Sequence, residues 1–104
     1  MTIFTALAEP HRREILHLLR DGEHLAGDVV DALDIAQPTV SQHLKVLREA
    51  GLVRVRRDAN RRWYRLNPAP LLELDAWLAP FRELWADRLD ALERHLDNDT
   101  GAAS

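Results

Sequence analysis

Gln37, Thr39, Ser41, Gln42, His43 and Lys45 set six hydrogen-bonding side chains within nine residues. Amides and hydroxyls of this size pair with base edges, and an ammonium pairs with phosphate. A second set, Arg56, Arg57, Arg61 and Arg62, brackets Asp58-Ala59-Asn60. Guanidinium groups this dense suit a polyanionic backbone. The chemistry on offer is recognition rather than bond-making. There is no Gly-rich phosphate loop, no G-x-S-x-G nucleophile and no paired carboxylate set against an apolar pocket, so no enzyme is expected. Asp87, Asp90, Glu93 and Asp97 fall at helical spacing and read as a solvated acidic stripe.

Charge distribution supports an anionic partner although the chain as a whole carries −3. From Ala36 to Leu66 there are eight basic residues against two acidic ones, a net +6. From Leu71 to Asp99 there are eight acidic residues against three arginines, a net −5. Attraction to phosphate follows the local patch and not the total. With 104 residues, 46% hydrophobic and 30% charged, the chain fits one globular domain, here bounded at residues 1–97 with a flexible tail at 98–104. It has no cysteine, which removes disulfides and thiolate metal sites. Neither a signal peptide nor a run of 18 apolar residues is visible, so a cytoplasmic location without a membrane partner is expected.

The elements that must position these groups can be read from periodicity. Ile3 to Leu7 gives a helical turn or two. Pro10 suits the first turn of a helix whose stripe is Ile15, Leu16, Leu18 and Leu19, with Gly22 to end it. Leu25 to Leu33 forms a short helix with Val29, Val30 and Leu33 on one side, and Asp34-Ile35-Ala36 is a tight turn. Val40, Leu44 and Leu47 then mark the buried face of a helix that ends at Gly51. At about 100° per residue this wheel turns Gln42 and Lys45 outward, with Thr39 and Ser41 on the flanks. Val53 and Val55 alternate with Arg54 and Arg56, and Tyr64 and Leu66 alternate in the next run. These two strands form a hairpin with a basic tip. From Pro68 onward Leu71, Leu74, Leu78, Phe81, Trp85, Leu89, Leu92 and Leu96 follow spacings of three and four, and Pro80 predicts a kink or break near Ala79. The fold class is mainly α, ordered α-α-α-α-β-β-α with a two-stranded wing: a winged helix-turn-helix.

Three ordered segments carry a specific resemblance. Ala6-Leu7-Ala8-Glu9-Pro10-His11-Arg12-Arg13-Glu14-Ile15-Leu16, Gln37-Pro38-Thr39-Val40-Ser41-Gln42-His43-Leu44-Lys45-Val46-Leu47 and Ala50-Gly51-Leu52-Val53 resemble the ArsR/SmtB-type repressors. The similarity runs from about Phe4 to Leu66. Phe81, Trp85, Arg88, Leu89 and Leu92 resemble a metal-independent branch, the sporulation-delay autorepressor type. The resemblance implies a homodimer on a palindromic operator in double-stranded DNA, with repression lifted by some signal. It also implies DNA contacts at Gln37, Thr39, Ser41, Gln42 and His43, and wing contacts near Arg61 and Arg62.

The wide apolar stripe of the last segment is expected to bury against a second copy, with Phe4, Leu7, Leu78, Phe81, Trp85, Leu89, Leu92 and Leu96 at the dimer interface. The aromatic face of Trp63, Trp77, Phe81 and Trp85 can alternatively line an effector pocket, and no effector is identified. The metal sensors of this family carry a cysteine pair in the helix before the reading helix, here Leu25 to Asp31, and this chain has none. A second family site, built on Asp-x-His in the last helix, fails because only His95 stands there. His11, His17 and His24 are spaced by six and seven, so they form no i,i+4 chelating pair. No metal and no cofactor are therefore expected, although His43 can make binding sensitive to pH. A winged-helix protein-interaction module and a ligand- or metal-gated sensor remain as alternative functions.

Overall fold

The structure is a computed structural model that describes residues 2–103, with side chains described as far as Asn98. The first helix, α1 (Ile3–Leu7), opens on Thr2, whose hydroxyl accepts the Thr5 N–H at 3.3 Å. Helix α2 (Pro10–Leu19) begins on a proline, and the carboxylate of its N-cap, Glu9, accepts the Arg12 N–H at 3.0 Å. Two arginines of α2 reach back to the carbonyls at the end of α1. Arg12 Nε donates to Ala6 at 2.7 Å, and Arg13 Nη1 donates to Leu7 at 2.9 Å. These bonds satisfy groups that a helix end leaves open, so α1 and α2 form a fixed corner.

His24–Leu25 form a short strand, β1, and only then does α3 (Ala26–Leu33) start. Asp28 reaches back to accept the Leu25 N–H at 3.1 Å. Asp34 closes α3 in the left-handed conformation (φ 53°), and its N–H donates to the Val30 carbonyl at 3.0 Å. Two residues later α4 (Gln37–Glu49) begins, which makes α3 and α4 a helix-turn-helix.

The end of α4 is a Schellman motif. Gly51 N–H donates to Arg48 at 2.9 Å, Leu52 N–H donates to Leu47 at 3.0 Å, and Gly51 holds φ +78°. The chain then enters β2 (Val53–Asp58), turns at Ala59 (φ 54°) and returns as β3 (Arg61–Leu66). Asn67 ties the hairpin's root to the end of α4, its Nδ2 donating to Gly51 at 2.7 Å and its N–H to Leu52 at 2.8 Å.

The sheet is three-stranded and antiparallel, in the order β1-β3-β2. The expected two-stranded wing therefore gains a strand: His24 pairs with Tyr64 and Leu25 with Trp63. A two-residue strand is too short to show a period, and this is why Leu25 reads as the start of a helix in sequence. Val53, Val55, Tyr64 and Leu66 share one face by register, as the alternation predicts.

Among the described residues the buried core is Ala6, Ile15, Leu16, Leu19, Val29, Val40, Leu44, Val46, Leu47, Leu52, Val53 and Tyr64. All of it belongs to one of two compact units, Met1–Leu71. The other unit, Leu72–Ser104, consists of the greater part of α5 (Ala69–Ala103). Of the kink or break expected near Ala79, the break is absent: the helix continues through Pro80. A proline removes one backbone donor and crowds the preceding turn, and here complete turns on both sides carry the helix across. The tail expected at 98–104 falls almost wholly outside the residues whose side chains are described. Along α5, Trp77 and Phe81 set their ring centroids 4.9 Å apart, and Arg82 Nη1 donates to Asp75 Oδ1 at 2.6 Å. No helix among the described residues is long and apolar enough to cross a membrane.

Candidate nucleic-acid interface

Helix α4 separates its side chains as the wheel predicts. Val40, Leu44 and Leu47 are buried, whereas Gln37, Thr39, Ser41, Gln42 and Lys45 are exposed. A row of amides and hydroxyls therefore stands on solvent along one face, backed by a rigid apolar face. That is what a helix inserted into a major groove requires.

His43 does not join this row. Its side chain is only 12% exposed, with Nε2 3.7 Å from Glu9 Oε2 and its ring centroid 5.9 Å from that of His11. The signal was present in the sequence: His43 lies three residues after Val40 and four before Leu47, on the core flank of the wheel. The structure thus places it against the start of α2 and away from the outward readers.

The wing adds positive charge in a distinctive arrangement. Arg54 lies directly across from Arg65, and Arg57 directly across from Arg62. Like charges in directly opposed positions destabilise a sheet. Asp58 faces Arg61, the one opposite-charge pair in this register. Lys45, Arg48, Arg54 and Arg65 line a groove of ≈ 520 Å³ between α4 and the root of the wing, with Glu49 as its acid. Arg48, Arg54 and Arg65 were not singled out from sequence as contact residues. Arg48 stands one turn after Lys45 on α4, and the strand register of Arg54 and Arg65 brings those two beside it.

Arg56 behaves differently from its neighbours. Its Nε donates to Glu23 Oε1 at 3.2 Å and its Nη2 to Glu23 Oε2 at 2.7 Å, a two-pronged pair. This hydrogen bonding holds the Glu23 carboxyl below its usual range and raises the Arg56 guanidinium further. The Arg56 guanidinium carbon also lies 5.8 Å from the centre of the Trp63 ring. Its charge is compensated within the protein, so the charge the tip offers a partner rests on Arg57, Arg62 and Arg61, the last with Asp58 opposite it.

Residues 9–55, from the cap of α2 to the middle of β2, match the family model described as bacterial regulatory protein, arsR family. The chain is 34% identical over 79 residues to the transcriptional repressor SdpR of Bacillus subtilis, covering 76% of this chain and 88% of that protein. The chain belongs to the ArsR family. It is also similar to the arsenical resistance operon repressor of Staphylococcus aureus, with 44% identity over 70 residues that cover 67% of each protein. The crystal structure of an ArsR family transcriptional regulator matches the fold with a TM-score of 0.71 at 32% identity, covering 81% of this chain and 87% of that one. This protein is therefore a DNA-binding transcriptional regulator of winged-helix fold, in a regulatory and not a catalytic family.

Against the metal-sensing members of the ArsR family, the donor set is wrong. With no cysteine anywhere, the thiolate pair that the resemblance places in α3 cannot form. Among the described residues one set of potential ligands does converge, in a place that the sequence could not indicate. Glu9, His11 and His43 each offer one ligand atom, and these atoms lie within 4.8 Å of one another. Burial raises the Glu9 carboxyl, but the Arg12 N–H and the two nearby histidines outweigh it and hold the group below its usual range.

Proposed function

We propose that this ArsR-family regulator is a homodimeric repressor that binds a palindromic operator through paired α4 helices and wings. One observation carries the reading. The exposed polar row of α4 stands beside a wing in which two Arg–Arg pairs, Arg54 with Arg65 and Arg57 with Arg62, are direct cross-strand partners. That arrangement is unfavourable in the protein alone and favourable once phosphates lie against it.

In this reading Gln37, Thr39, Ser41 and Gln42 meet base edges or nearby phosphates, and Lys45 meets the backbone from the groove. Arg57, Arg61 and Arg62 follow the backbone or an adjacent minor groove. Pairing is supported by α5, where Phe81, Trp85, Leu89 and Leu92 are 44–60% exposed. A stripe of that kind needs a covering surface, and a second copy of the same helix supplies one. Leu7 and Leu78 are half-buried already, so they contribute less to the proposed interface than the residues nearer the end of α5. Twofold symmetry then sets the two α4 helices roughly 34 Å apart, in successive major grooves. A bound dimer at a promoter excludes the polymerase, which is repression in its simplest form.

The test is the salt dependence of duplex binding, compared between the wild type and an Arg61→Ala/Arg62→Ala variant. Losing two phosphate contacts flattens the slope of log K against log salt by roughly 2 and weakens binding to all sequences alike. A wild type that binds no duplex at low salt contradicts the reading.

A further inference from the structure

We propose that Glu9, His11 and His43 form a binding site for a borderline divalent cation of the Zn²⁺ or Co²⁺ type, joining the start of α2 to the middle of α4. Two imidazoles and one carboxylate make up a donor set such ions take with three protein ligands and a fourth position left to water. Much of the geometry is already present. His11 Nδ1 stands 3.1 Å from Glu9 Oε1, and His43 Nε2 stands 3.7 Å from Glu9 Oε2. Bonds of about 2.0–2.2 Å to a tetrahedral ion put ligand atoms ~3.4 Å apart. With all the candidate atoms within 4.8 Å, small side-chain rotations close the cage.

The surroundings suit a ligand set as well. The Arg12 N–H on Glu9 Oε2 at 3.0 Å fixes the carboxylate and leaves it further lone pairs, the role an outer hydrogen bond plays at metal sites. His43 is 12% exposed, whereas His11, 42% exposed, leaves a path for the ion to enter. The site uses none of the positions where this family's metal sensors were expected to bind, and it does not depend on DNA binding. An ion there ties the DNA-reading helix to α2 and so acts on the orientation of α4.

The experiment is a titration of the untagged full-length protein with Co²⁺, read by its visible d–d absorption. The expected result is saturation at one Co²⁺ per chain and displacement by Zn²⁺. His11→Asn, the most exposed ligand, is expected to weaken binding at least tenfold with an unchanged far-ultraviolet circular dichroism spectrum, and His24→Asn to leave it unaltered. The absence of a saturable band overturns the proposal. So does equal binding by His11→Asn, or an equal loss in His24→Asn. Because none of these readouts involves DNA, failure here leaves the operator reading intact.

Discussion

Arg56 and Arg57 are adjacent in β2, yet only one of them is available to a partner. Arg56 spends its guanidinium on Glu23 and Trp63, bracing β2 against the segment that leads into β1. Arg57 faces Arg62 across the strands and makes no ion pair among the described residues. A count of arginines treats the two alike, which is why the sequence suggests four equivalent wing contacts. Register and a partner 33 residues away separate them. The brace has a pH signature. Glu23 is depressed in the folded state, so its contribution is present above its unfolded value of about 4.5 and disappears as pH falls through the lower folded value. The difference in melting temperature between the wild type and Glu23→Gln is thus fully developed near neutrality and closes on acidification. A gap that widens toward acid contradicts this assignment.

At the scale of elements, α4 owes its direction to what holds its end. The Schellman closure at Gly51, together with the two hydrogen bonds from Asn67, fixes α4 to the root of the wing. A Cβ at Gly51 finds room, with Pro70 Cγ 3.8 Å away, so the penalty is conformational and comes from φ +78°. Gly51→Ala is therefore expected to cost about 1–2 kcal/mol in urea unfolding. No change in stability would remove this account of the cap. The sequence made α4 legible because Val40, Leu44 and Leu47 repeat over several turns, and the wing legible because valine alternates with arginine. Two features escaped for physical reasons. β1 is too short to carry a period, and Pro80 marks a local penalty that fits either a kink or a break, so the sequence could not choose the continuous helix. His43, a polar residue on the reading helix, is grouped with the DNA contacts by the resemblance, whereas its side chain lies against Glu9. Its position on the wheel points inward, and only the fold reveals Glu9 and His11 there.

At the scale of the molecule, a net charge of −3 conceals a basic reader and an acidic final helix. That polarity keeps the anionic surface in α5, where the apolar stripe also runs, and leaves α4 and the wing positive. If α5 joins two copies, Leu89→Glu with Leu92→Glu should give a monomer by sedimentation equilibrium and weaken duplex binding at least tenfold. A variant that remains dimeric would move the interface elsewhere. The central claim is that α4 reads sequence while the wing supplies charge. The most direct measurement is selection of bound duplexes from a random pool, for the wild type and for Gln42→Ala. The account predicts inverted half-sites about 10–10.5 base pairs apart for the wild type. It predicts that Gln42→Ala relaxes preference within each half-site by about 1–3 kcal/mol, with spacing unchanged. A wild-type pool without an enriched sequence, or a variant with the same preference, would contradict it.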